Sequence, residues 1–144
     1  MKYGVSARIR GRHSSPWHFE TTRFPAYNEG IVPALRATGY EPFRVDFADD
    51  PGKIDDRIMG EIRRSGLVIA DFTHHRGGVY FEAGVAIGRA IPVIWCCHED
   101  HFKDLHFDTR QYNHVGWRTP DQLRASIENR IRANFPTRSA VINE

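Results

Sequence analysis

Cysteine is almost absent from this chain: only Cys96 and Cys97 occur, side by side. Adjacent cysteines have the wrong Cβ geometry for a disulfide, so no covalent staple is expected. Thiols without distant partners suit a reducing compartment. No apolar run approaches the roughly 18 residues that a membrane span requires. The amino-terminal Met1-Lys2-Tyr3-Gly4-Val5-Ser6-Ala7-Arg8 has no apolar core of signal-peptide length. A soluble, cytoplasmic protein without a membrane partner is therefore expected. Lysine is scarce as well, with 3 Lys against 17 Arg. Guanidinium forks match phosphate and carboxylate geometry, but a compositional bias of the genome gives the same excess. The formal net charge is only +2, which argues against a dedicated nucleic-acid binder. Repeats, low-complexity stretches and linkers are also missing. The 144 residues therefore read as a single domain over 1–144, large enough to need no metal or disulfide to hold its core.

What is present is an alternation of apolar runs and helical patterns. A strand is expected at Tyr3–Ala7, then a polar loop from Arg8 to about Thr22. A helix fits Pro25–Thr38, with Ile31 and Leu35 on one face and Gly39 as its stop. Glu41–Val45 reads as a second strand. Asp49-Asp50-Pro51-Gly52 is a turn before a helix carrying Ile54, Ile58 and Ile62. Leu67-Val68-Ile69-Ala70 is a continuous apolar run of the kind buried on both faces, and it ends in Asp71. A helix over about Val79–Arg89 follows. Ile91–Trp95 is a fourth strand, Cys96 to about Gln111 a polar loop, and Tyr112–Trp117 a fifth strand. The last helix begins after Thr119-Pro120 and sets Leu123, Ile127 and Ile131 on one face. Such alternation predicts an α/β fold: a flavodoxin-like or Rossmann-like three-layer sandwich around a five-stranded, mainly parallel sheet. Ligands bind such sheets beyond the carboxyl ends of the strands. That rule nominates the loops Arg8–Thr22, Phe47–Pro51, Asp71–Gly78 and Cys96–Gln111.

Glu82 is the leading candidate within that frame, because its helix is otherwise small and apolar. It is either held near the site or simply placed to favour the positive end of the helix dipole. Asp71 closes the central strand, where it faces the crevice or caps the following loop. Thr73, Gly77 and Gly78 shape the segment between the two acids. Arg8, Arg10, Gly11, Arg12, Ser14 and Ser15 form either a phosphate cradle or a solvated basic loop. No lysine follows Gly11, so this is not a Walker loop, and no Gly-x-Gly-x-x-Gly follows the first strand. His74, His75, His98, His101 and His106 lack the spacing of a zinc signature, and no metal or cofactor is expected. Phe72, Tyr80 and Phe81 suit stacking on a base or sugar, or core packing.

The stretch Val68-Ile69-Ala70-Asp71-Phe72-Thr73, then Gly78-Val79-Tyr80-Phe81-Glu82-Ala83-Gly84-Val85-Ala86, then Ile91-Pro92-Val93-Ile94, resembles the nucleoside 2-deoxyribosyltransferase superfamily. The likeness is strong over about a sixth of the chain and extends elsewhere only in element order. It implies that Glu82 is the nucleophile toward an anomeric carbon and that Asp71 binds or protonates the departing base. It further implies that Tyr3 orients Glu82. Ala7-Arg8-Ile9-Arg10-Gly11-Arg12 is similar to the phosphate loop of that family's nucleoside 5′-monophosphate hydrolases, which would put Arg8, Arg10, Arg12 and Ser14 near a phosphate. Ala7 stands where those hydrolases have serine. The tail Ala140–Glu144 does not match the Asn-containing segment that the transferases insert into a neighbouring subunit's site.

Cleaving an N-glycosidic bond builds oxocarbenium character that a carboxylate stabilises or captures. The departing base needs a proton, which a carboxyl of raised pKa can donate. The expected activity is hydrolysis, or base transfer, on a small-molecule nucleotide or nucleoside by a homodimer or higher homo-oligomer. Two other readings stay open: a TIR-like NAD glycohydrolase and a non-catalytic nucleotide-sensing module. The lysine-decarboxylase-like phosphoribohydrolases are disfavoured, since their Pro-Gly-Gly-x-Gly-Thr loop is absent.

Overall fold

Apolar runs followed by helical stripes do build an α/β fold. In a computed structural model, residues 4–9, 25–45, 56–73 and 77–135 are described. The strands are β1 (Gly4–Ile9), β2 (Tyr40–Val45), β3 (Leu67–Asp71), β4 (Val93–His98) and β5 (Val115–Trp117). The helices are α1 (Val32–Ala37), α2 (Asp56–Arg64), α3 (Gly77–Gly88) and α4 (Pro120–Asn134), with a 3-10 helix at Glu99–Asp104. The sheet order is β2-β1-β3-β4-β5.

β3, β4 and β5 are parallel neighbours, with Val68 beside Val93 and Cys96 beside Val115. β1 departs from the expected direction. It runs antiparallel to both neighbours, setting Gly4 beside Ala70 and Ala7 beside Leu67. A period-2 pattern carries no arrow, so the alternation that marks a strand cannot tell which way it runs. β2 is an edge strand, where Pro42 costs no ladder bond toward a missing neighbour.

Strand alternation sorts the core into two sides. Leu67, Ile69, Ile94, Cys96, Val115 and Trp117 pack with Ile31, Leu35, Leu123, Ile127 and Ile131 of α1, α4 and the turn before α1. On the other side Ala70, Phe72, Trp95 and Cys97 pack with Val79 and Ala83 of α3, and Val68 packs with Ile58, Ile62 and Ala86.

Local signals set most helix ends. Thr119 accepts the Gln122 N–H while Gln122 returns a bond to the Thr119 backbone, a reciprocal cap at the start of α4. Gly39 takes φ 85°, as a helix stop requires. The segment expected as one helix over Pro25–Thr38 is instead a π-helical turn, Ala26–Ile31, running into α1. Pro33 has no N–H for the Glu29 carbonyl, and a widened turn relieves the clash of its ring with that group. Gly30 in this turn lets α4 approach: a Cβ there would lie 3.1 Å from Leu123 and from the Pro120 carbonyl.

Two boundaries differ from expectation at β4. The strand starts at Val93, where its pairing with β3 begins, and runs through both cysteines to His98. Cys96 and Cys97 are fully buried in the sheet, not in a polar loop. The fifth strand is confined to Val115–Trp117.

Candidate functional site

The buried positions of α3 are Val79, Glu82, Ala83 and Ala86. Their i, i+3, i+4, i+7 spacing makes one stripe against the sheet. Glu82 belongs to that stripe and is 2% exposed. A step of about 100° per residue puts Glu82 at the Ala86 edge of the stripe and Ala83 at the other. Ala86 packs with Ile58, Ile62 and Val68, and Ala83 with Phe72 and Trp95. Glu82 therefore lies on the flank of α3 nearer β1 and α2, both of which border this helix and each other.

Asp71 ends β3 and is only partly buried. Its Oδ1 accepts from the Thr73 hydroxyl at 2.5 Å and from the Thr73 N–H at 3.1 Å. The Thr73 oxygen in turn accepts the His98 N–H at 2.9 Å. This chain of bonds ties the carboxyl end of β3 to that of β4. His98, which sequence reasoning placed in a loop, therefore stands at the strand edge beside Asp71 and Thr73. Its Nδ1 accepts the Asp100 N–H at 3.2 Å, and its ring meets Trp117 edge-on at 4.8 Å. The unbroken apolar run through Cys96 and Cys97, residue types usually found inside, was the available signal that β4 continues this far.

The two acids belong to different sides of the sheet. Alternation turns Asp71 to the side of Ile69 and α4, whereas α3 covers the opposite side. Glu82 is five residues into α3, about 7–8 Å along its axis from Gly77 at 1.5 Å per residue. Gly78 sits in the first turn of α3 and not in a preceding loop. The Tyr80 hydroxyl accepts the His106 N–H at 3.4 Å, and its ring contacts Phe72 at 4.5 Å. Tyr80 thus anchors the segment after the 3-10 helix on the flank of α3 away from Glu82.

Of the first-loop residues, Arg8 is described and does not start from this edge. β1 runs antiparallel to β3, so Arg8 lies opposite Glu41 and beyond the Ala7–Leu67 pair, at the amino end of β3. The chain leaves β1 on the side away from Asp71. Gly4, by contrast, lies opposite Ala70, so the chain enters β1 at the Asp71 edge. Tyr3, Arg10, Gly11, Arg12 and Ser14 fall outside the described residues.

The thiols are held neutral. Burial, and then the negative charge of Asp71, push Cys96 well above its ordinary value. The same causes, with Asp104 added, raise Cys97 to about 12. Neither is a nucleophile at neutral pH. Among the described residues no three His, Cys, Asp or Glu side chains converge as metal ligands. No helix of the described residues is long and apolar enough to cross a membrane.

Two further features involve β4, β5 and α4. Trp95 stacks on Tyr112 at 4.4 Å with their planes 5° apart, and on Phe72 at 5.1 Å. A cleft of about 450 Å³ lies between β5 and the second half of α4. No protein-family model, curated protein or solved structure matches the chain.

Proposed function

We propose that this protein cleaves the N-glycosidic bond of a nucleoside or nucleotide, with Glu82 as the nucleophile. The supporting observation is the burial of that carboxylate, 2% exposed in the stripe of α3 that faces the sheet. Taking a charge-bearing group out of water costs several kcal/mol unless the surroundings compensate. Helix packing alone would be better served by an apolar residue there, and departures of this kind concentrate at sites of function. The resemblance of Val68–Ala86 to the deoxyribosyltransferases supplies the chemistry. A carboxylate oxygen of Glu82 bonds to the anomeric carbon as the carbon–nitrogen bond breaks, and the electron pair leaves with the base. The base takes a proton at the edge that Asp71 occupies. Water, or a second base, then releases the sugar from Glu82.

The reading takes a flavodoxin-like layered arrangement as its frame, with β1 reversed, and a homo-oligomer as the active form. Arg8 has no part in it, since the direction of β1 carries that residue to the other edge. Its test is chromatographic release of free base from deoxyribo- and ribonucleosides, their 5′-monophosphates and NAD. Glu82→Gln is expected to lower turnover on the order of 10³-fold, about 4 kcal/mol of barrier, while far-ultraviolet dichroism stays unchanged. Undiminished base release by the folded variant would end the proposal. Nicotinamide released from NAD alone would move the substrate to dinucleotides.

A further inference from the structure

The cleft beside β5 differs from its surroundings in charge. Among the residues that line it are His114, Ser126, Asn129, Arg130 and Asn134, with Gly116 on the strand. One of the lining residues is a permanent cation and none is a carboxylate. The cation is unlike the other arginines of its helix. Arg124 and Arg132 share Glu128, at 2.9 and 3.2 Å. Arg130, on the other flank, donates one N–H to the Asn113 carbonyl at 3.0 Å and has no carboxylate partner among the described residues. That bond fixes the guanidinium and leaves its other donors for a ligand. Ser126, Asn129 and Arg130 stand at i, i+3 and i+4, so hydroxyl, amide and guanidinium donors are neighbours on one helix face. Ser126, Asn129 and Arg130 lie before the last turn of α4, where the helix dipole opposes an anion less than at Asn134, which also lines the cleft. A volume of about 450 Å³ exceeds the needs of a bare ion and falls in the range of small-molecule sites.

We propose that this cleft binds the phosphate group of a small phosphorylated molecule, held by Arg130, Asn129 and Ser126. Arg forks suit tetrahedral oxyanions with more than one acceptor oxygen. Neither Glu82 nor Asp71 lines this cleft, which lies between the start of β5 and α4, so the assignment stands whether or not those acids are catalytic.

His114 supplies the readout. Burial lowers its pKa, the Tyr112 carbonyl partly offsets this, and the Arg130 charge lowers it further. A bound phosphate neutralises Arg130 and raises the His114 pKa. The experiment titrates the full chain with inorganic phosphate, ribose 5-phosphate and adenosine 5′-monophosphate, following the His114 imidazole and the Ser126 and Asn129 amides by NMR. Saturable shifts at these signals and an upward His114 pKa are expected. Tighter binding of the two esters marks a phosphorylated metabolite, whereas equal affinity for all three marks free phosphate as the ligand. Arg130→Gln should weaken binding about tenfold or more, the effect of losing a hydrogen bond between charged groups. Asn129→Asp, at an exposed position, places a repelling carboxylate there without touching the core and should do the same. Glu82→Gln should leave the affinity unchanged. Absence of saturable shifts, or affinity unaltered in folded Arg130→Gln and Asn129→Asp, would overturn the assignment.

Discussion

Helices α3 and α4 cover opposite sides of the same sheet and follow opposite rules. α4 buries Leu123, Ile127 and Ile131 and turns Arg124, Glu128 and Arg132 outward into ion pairs. α3 buries Glu82 and turns Phe81 and Ile87 outward, at 40% and 43% exposed. Each helix meets the sheet along a similar stripe, so geometry does not explain the difference. α4 is built to pack. α3 gives one packing position to a carboxylate, which is why the proposed chemistry centres there.

The largest effect on stability should therefore come from α4. Ile127→Ala should destabilise the fold by about 2–5 kcal/mol, the usual range for a buried Ile truncation. Glu82→Gln, at a position also buried, keeps the shape and one acceptor oxygen and removes the cost of burying a charge, so it should not destabilise the fold by more than about 1 kcal/mol. Urea unfolding of both variants decides this, and a loss at Glu82 equal to that at Ile127 would make the carboxylate a structural element.

Alkaline pH probes the boundary between the two sides, where the cysteines sit. Cys97 is raised from 9.0 to about 12, so the folded state holds its proton when the unfolded state has lost it. Its contribution is complete below the unfolded value and is lost as pH rises through the folded one. Unfolding free energy should fall from about pH 9 upward, and Cys97→Ala should flatten that slope. An unaltered slope would mean that the thiol is not buried as described.

Smaller effects test the helix ends. Thr119→Ala removes the reciprocal cap of α4 and should cost about 1 kcal/mol. α3 ends on Ala90 at φ 57°, with the Ile91 N–H on the Ala86 carbonyl and the Ala90 N–H on that of Ile87. This is a glycine-type termination with a Cβ in the left-handed region. Ala90→Gly should stabilise by roughly 0.5–1 kcal/mol, the relieved strain being partly offset by unfolded-chain entropy. Thermal unfolding measures both, and a destabilised Ala90→Gly would show that the strain is absent.

Much of the frame was legible because its signals are local. The stop at Gly39, the start of α4 at Thr119-Pro120, its apolar stripe and the buried run of β3 each depend on residues within a few positions of one another. Glu82 stood out in the sequence as the acid of a small, apolar helix, but only the packing of α3 decided that it is buried. The extent of β4 was only partly legible: the cysteines continue its apolar run, but His98 becomes strand by pairing with β5. The bond from His98 to Thr73, which spans 25 residues and continues to Asp71, was not legible. Arg130 looked like any helix arginine until its neighbours showed that Glu128 serves the other two.

By itself the sequence determined which segments become strands and helices and which faces are apolar, since backbone preference and hydrophobic spacing act over a few residues. Only the tertiary structure decided the direction of β1, and with it that Arg8 lies away from Asp71 while the chain near Gly4 lies beside it. Periodicity is unchanged when a strand is reversed, whereas the edge at which its loops emerge is not.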